Sequence, residues 1–284
     1  MTGPLGQIAF VVGRESVEAL LVIGILDAWL GRQANAAAAK IGRRFLWAGV
    51  MAGLAASALL AAAMLGFASL LEGDREDFLQ LVVTGLAAAL ILQMVTWMHR
   101  RGGRLQDELN RGAERAVSRQ NWWGLLLLAA IAVAREGSET VVFLYGILAA
   151  SGGTNLLAGI AAAFAGFTAA CMLYWLLQFG SRRFSWHAFF RVTEVLLLFL
   201  AASLLMTALD RAVGLDLMPT LSEPLWDTSW VLDDMAGLGG FVSAMSGYRA
   251  RPDLISVLVF ASYWLVVAGL LSLPRRAHTL KSLS

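Results

Sequence analysis

A chain of 284 residues of which 58% are hydrophobic and 15% charged, with a mean hydropathy of +0.69, is not an ordinary soluble domain, where about 25% of residues are charged. A net formal charge of +2 offers no basic excess for nucleic acid, and the single cysteine, Cys171, excludes an intrachain disulfide. What remains is an all-α polytopic membrane protein surrounded by lipid, with Cys171 read as a small packing residue.

A bilayer core of about 30 Å takes roughly 20 predominantly apolar residues per helix. Seven runs reach that length, at approximately 5–30, 45–71, 78–98, 122–150, 154–179, 187–209 and 254–273. The first holds "VVGRESVEALLVIGIL" (11–26), which sets Arg14, Glu15 and Glu18 in the middle of an apolar span. Arg14 is also the first basic residue of the chain. A secretory leader would begin with a basic region, so the N-terminus is expected to be retained. Asp27 falls near the inner end of the same span, where solvation is expected and a role as exit ligand is the lesser reading. The third span closes on "TWMHR", with Trp97 read as an interface anchor, as are Trp122 and Trp123 at the start of the fourth. The sixth opens with Arg191 and Glu194, three residues apart on one helix face and expected to pair.

The Lys and Arg distribution between spans orients the chain. The linker 31–44 holds Arg32, Lys40, Arg43 and Arg44 with no acid, and "HRRGGRLQDELNRGAERAVSRQ" holds six arginines. Arg182, Arg183 and Arg191 flank the next connection on that side, and Arg275, Arg276 and Lys281 lie in the tail. "EGDRED" (72–77) and the segment 210–253 are mostly acidic. One alternation satisfies every linker: N-terminus outside, C-terminus cytoplasmic.

An internal repeat crosses this plan. "AREGSETVVFLYGIL" in the fourth span repeats the opening stretch, with Arg135, Glu136 and Glu139 matching Arg14, Glu15 and Glu18. The following spans agree more faintly: "AGVMAG" and "AGIAAA" both space small residues four apart (Gly49 and Gly53; Gly159 and Ala163), as close helix crossings require. The chain is thus one membrane domain made of repeat one (1–98), a cytoplasmic linker (99–121), repeat two (122–209), an outer loop (210–253), and a seventh helix with its tail (254–284). Three spans per repeat make the second unit enter from the opposite side. Seven transmembrane helices result, as two inverted three-helix repeats plus one, an arrangement recurrent in secondary transporters.

Both charged motifs fall near mid-membrane. Residues three and four apart share a helix face, so two facing helices would gather four carboxylates and two guanidinium groups. Six unpaired charges at that depth would cost on the order of 15–20 kcal/mol, at roughly 2.5–3.5 each. They must pair, meet water or bind something. Carboxylates are hard donors, whereas zinc and copper favour His and Cys. His99, His187 and His278 all fall near predicted cytoplasmic boundaries, which argues against a soft-metal site and weakens a ferrous one. The formal charge of the cluster favours a multivalent cation without choosing its valence.

The paired R-E-x-x-E motifs, "RESVE" and "REGSE", in the first and fourth of seven spans resemble the high-affinity iron permease family, which includes fungal oxidase-dependent permeases and bacterial ferrous-iron uptake permeases. "TWMHR", "FFRVTEVLLLFLAASLL", "LWDTSWVLDD" and "GYRARPD" add to the resemblance, which covers nearly the whole chain. It implies an iron permease of the plasma or bacterial inner membrane that moves iron inward, with iron as substrate and no permanently bound cofactor. Glu15, Glu18, Glu136 and Glu139 would be the iron ligands, and Arg14 and Arg135 their charge partners or gates. It also implies an external oxidase or peroxidase and an iron-binding partner on other polypeptides.

Other residues read more plainly. Asp227, Asp233 and Asp234 would draw cations to the entrance or merely solvate the outer loop. The absence of G-x-S-x-G, H-E-x-x-H, C-x-x-C and intramembrane histidine speaks against an embedded enzyme. A transporter of manganese, lead or protons, or a structural subunit in which the Arg–Glu clusters only tie helices together, stays open from the residues alone.

Overall fold

The computed structural model describes residues 2–32, 36–71, 73–101, 122–150, 156–179, 186–234 and 237–272. Among them are eight helices and no strand: α1 (Thr2–Gly31), α2 (Ala36–Ala68), α3 (Asp74–Arg101), α4 (Trp122–Ala150), α5 (Leu156–Phe179), α6 (Trp186–Gly214), α7 (Gly237–Ser246) and α8 (Leu254–Ser272). Five, α2, α3, α5, α6 and α8, are long and apolar enough to cross a membrane, with mean hydropathies of 1.8 to 2.4. α1 and α4 are as long, at 30 and 29 residues, but carry the motif charges. At 1.5 Å per residue even the 19-residue α8 reaches about 28 Å.

The helices differ in their surroundings. The most apolar stretch of α6 is 61% buried within the protein, against 17% in α2, 11% in α5 and 22% in α8. Trp47, Met51, Leu59, Phe164, Met172 and Leu265 stand exposed on those outer helices. A helix that is hydrophobic all round and only thinly covered by protein needs lipid to cover the rest.

Packing runs crosswise. α1 lies against α5 and α4, α2 against α4, and α3 against α6 and α4. Small residues permit both outer crossings. A Cβ on Gly13 of α1 would stand 3.1 Å from the Gly166 carbonyl oxygen of α5, and one on Gly166 would collide with the Ala9 carbonyl. At the other crossing, a Cβ on Gly53 of α2 would stand 2.8 Å from the Ala130 carbonyl of α4. The expected pair Gly49 and Gly53 does bring α2 and α4 close, and Gly166 makes a close approach on α5. The main core joins Ile8 and Val11 of α1, Ile91 and Val95 of α3, Phe143 and Ile147 of α4, and Leu197, Leu200 and Leu204 of α6.

Two expectations change. The segment 210–253 is not wholly loop: Gly237–Ser246 is a helix packed on α1 and α6. Left-handed glycines bound it, Gly237 at φ 55° and Gly247 at φ 75°, and the Gly247 amide donates to the Ser243 carbonyl at 2.8 Å, a glycine C-cap. Glu194 of α6 meets His99 of α3 at 3.1 Å rather than Arg191, because the α3–α6 contact offers a partner across the interface. Trp97 lays its ring against Arg135 of α4, a packing contact beyond its expected place near a helix end. The arginines of 102–121, Arg182, Arg183, and the tail with Arg275, Arg276, Lys281 and His278 lie outside the described residues, as does the side chain of His187.

Gly166→Ala should cost about 1–3 kcal/mol through backbone collision, whereas Gly66→Ala in α2, where a Cβ meets nothing within 4 Å, should leave stability unchanged or improved. Thermal unfolding of the two purified variants in one detergent checks this.

Candidate metal centre

The repeated motif occupies the middle of α1 and of α4, and the contact between these helices brings the two copies together. Glu15, Glu18 and Glu136 offer carboxylate oxygens that all lie within 4.8 Å of one another. Glu139, three residues after Glu136 on the same helix, is held by Arg135 Nε at 3.0 Å.

The two arginines are not used alike. Arg14 is 2% exposed; its Nη1 donates to Glu15 Oε1 at 2.7 Å and its Nη2 pairs with Glu18 Oε1 at 2.5 Å. The same two nitrogens point at Met94 Sδ and Met98 Sδ of α3. The Arg135 side chain is 46% exposed. It reaches Glu136 only at 3.9 Å and lays its guanidinium 5.0 Å from the Trp97 ring centre, a cation–π contact. Beside it a cleft of about 470 Å³ opens between α2 and α4, lined by Ser57, Arg135 and Ser138.

Pairing within the cluster is incomplete. Glu15 Oε2, Glu136 Oε2 and Glu139 Oε2 are buried and accept no hydrogen bond among the described residues. An orphaned buried acceptor costs about 1–3 kcal/mol, more when charged. The converging carboxylates of Glu15, Glu18 and Glu136 form a hard-donor set on two helices that a cation of suitable size would satisfy, while Glu139 stands outside that group.

The remaining candidates separate from the centre. Asp27 pairs with Arg43 at 2.7 Å, both about half exposed, in keeping with solvation at a helix end. Asp227 accepts from the Ser229 amide at 2.9 Å and hydroxyl at 2.6 Å and pairs with Arg251 at 3.0 Å. Those donors hold its carboxyl at about 2, below the usual range. Asp233 is exposed, whereas Asp234 lines a cavity of about 850 Å³ with Gln7, Asp77, Asp210, Arg211 and Arg249. Asp77 pairs with Arg211 at 3.3 Å and Asp210 with Arg249 at 2.5 Å. Asp77 and Asp210 escape a reading of the sequence because each lies near a helix end and takes its partner from another element.

A layer of side chains divides cavity from carboxylates. The cavity touches α1 at Gly3 to Gln7 and α4 at Ile147 and Ala150. Ile8, Val11 and Phe143, at 2%, 0% and 0% exposure, lie between those positions and the motif glutamates along the two helices. These three side chains offer water and ions no polar foothold.

Residues 5–276 match the iron permease FTR1 family. The chain is similar to the ferrous iron permease EfeU of Shigella sonnei, 28% identical over 278 residues that cover 95% of this chain and 96% of that one. EfeU of Escherichia coli O6:H1 strain CFT073 is 28% identical over 281 residues, 96% of this chain and 98% of its own. An uncharacterised protein of Archaeoglobus fulgidus is 29% identical over 275 residues, 94% of each. No solved structure matches the chain.

Arg14→Met should destabilise the protein by about 3–5 kcal/mol, the cost of breaking a buried pair, while Arg135→Met, whose guanidinium is half exposed although its partner Glu139 is not, should cost less, about 1–2 kcal/mol. Unfolding of both in metal-free detergent checks the contrast. Because the folded carboxyl of Asp227 titrates at about 2, its stabilising contribution is complete above the unfolded value of about 4 and disappears as pH falls through the folded one. The difference in melting temperature between wild type and Asp227→Asn should follow that course.

Proposed function

Because the chain belongs to the iron permease FTR1 family, we propose that it carries iron inward across the membrane, bound in transit by Glu15, Glu18, Glu136 and Glu139 between α1 and α4. Family and apolar helices together make it an integral membrane protein of iron transport, a permease rather than an enzyme. The path is supported by one observation, the convergence of the Glu15, Glu18 and Glu136 carboxylates from two separate helices in an apolar interior, and Glu139 is added to it by the repeat of the motif and its own unpartnered buried oxygen.

In this proposal seven helices span the membrane, α1 to α6 and α8, as two inverted three-helix units within one membrane domain. Crosswise packing supports it: the first helix of each unit lies on the second helix of the other, as a two-fold relation between units would require. The N-terminus is outside and the C-terminus cytoplasmic. Iron arrives in the cavity lined by Asp77, Asp210 and Asp234, handed over by an external iron-binding protein that works beside an oxidase or peroxidase. It passes when the apolar layer of Ile8, Val11 and Phe143 parts, and exchanges its waters for carboxylate oxygens. Arg14 and Arg135 offset the charge of the empty site and give way to the ion. Release to the cytoplasm follows as the two units rearrange about the site, so that one face closes before the other opens.

Vesicles reconstituted with purified wild type should accumulate radiolabelled iron, and Glu15→Gln and Glu139→Gln should each reduce uptake at least about tenfold, as losses in a ligand shell do. Both variants should keep wild-type elution and thermal melts. Full transport by both would remove the glutamates from the path.

A further inference from the structure

The Arg14 guanidinium sits in a hole whose nearest walls are electron donors from two helices. Its Nη1 lies 2.7 Å from Glu15 Oε1 and 3.2 Å from Met94 Sδ; its Nη2 lies 2.5 Å from Glu18 Oε1 and 2.9 Å from Met98 Sδ. Each positive nitrogen thus bridges one carboxylate and one thioether. Met94 and Met98 are four apart on α3 and so share one face. Methionine in a core ordinarily fills irregular apolar gaps, but both sulfurs here turn to the same buried charge.

A second observation is independent of the arginine. Glu15, 1% exposed, keeps a buried oxygen with no hydrogen-bond partner among the described residues, and so does Glu136. The cluster therefore keeps acceptor capacity that the guanidinium does not use.

We propose that Met94 and Met98 belong to the ion-binding site, and that their sulfurs join Glu15 and Glu18 around the transported ion when the Arg14 guanidinium withdraws. The proposal rests on the permease function set out above and adds the form of iron carried. Carboxylates alone suit hard ions such as manganese, magnesium and ferric iron, whereas thioethers favour softer ones. A mixed oxygen and sulfur shell selects ferrous iron, which is borderline, over ferric iron and over harder divalent ions of similar size. Two neutral sulfurs also supply ligands without adding negative charge at membrane depth, where each charge is costly. Arg14 acts as a tethered competitor. It occupies the donors when iron is absent, and an ion that gains nothing from sulfur displaces it poorly.

The test uses the full-length protein and Met94→Leu/Met98→Leu, a swap that nearly conserves volume and keeps the core packed. Ferrous iron is held reduced under anaerobic conditions, with manganese(II) as competitor and ferric citrate in a parallel arm. Wild type should prefer ferrous iron and show a sulfur shell in the iron X-ray absorption of the loaded protein. The double variant, at an unchanged thermal melt, should lose that shell, and its ferrous-to-manganese preference should fall on the order of tenfold. Sulfur loss with a preserved carboxylate shell is a signature that a merely structural role for the methionines would not produce. An oxygen-only shell in wild type, or an unaltered preference in the variant, overturns the thioether proposal while leaving iron transport standing. Absence of iron binding in wild type overturns both.

Discussion

Six ionisable side chains in the middle of two apolar helices set the terms for everything around them. Charges at membrane depth are tolerated only when neutralised or solvated. Here they are gathered at the α1–α4 contact and sorted into two unequal halves. Arg14 is sealed between two glutamates and two methionines, and Arg135 is half exposed against an indole. Bringing α1 and α4 that close depends in turn on the flanking helices, which press in at crossings where glycine leaves the backbone bare. The small residues of the outer crossings and the charges of the centre belong to one constraint.

If the cluster carries iron as proposed, it must also not be open to both sides at once. At one end a polar cavity holds two ion pairs that link α3 to α6 and α6 to the segment after α7. Buried Ile8, Val11 and Phe143 lie along α1 and α4 between it and the carboxylates. Ion pairs that bridge separate elements beside an apolar seal are well placed to hold one arrangement and exchange it for another. The buried position of α6, in contact with α3, α7 and α8, places it where movement at the cavity is felt throughout the helix bundle.

Much of this was legible in the sequence, for physical reasons. Long apolar runs give helix positions because lipid imposes a minimum length, and the expected spans fall on the observed helices within a few residues at most ends. The two motifs stood out because charge is rare in such runs. Pairing across helices could not be read: that Glu194 faces His99 rather than its neighbour Arg191, that Trp97 meets Arg135, or that Met94 and Met98 turn their sulfurs to Arg14. An apolar side chain with a donor atom looks like any other core residue until its neighbours are known. If the proposed thioethers belong to the site, the lack of membrane-embedded histidine says little about its softness. The helix Gly237–Ser246 was hidden by its own glycines, which in sequence resemble a loop and in structure bound the helix and let it pack closely against its surroundings.

The pairing of each arginine with glutamates of its own helix bears on how the chain is made. Because packing is crosswise, α1 finds neither of its main partners until α4 and α5, which begin at Trp122 and Leu156, have been synthesised. If α1 spans the membrane as proposed, during that wait it must remain in lipid with its charged residues already in place. A guanidinium clasped by carboxylates one and four positions ahead brings its own counter-ions, and so lowers the cost of residence before any partner arrives. The same clasp that later surrounds the site thus serves first as a travelling neutraliser, and biosynthesis and transport place matching demands on the spacing of one five-residue motif.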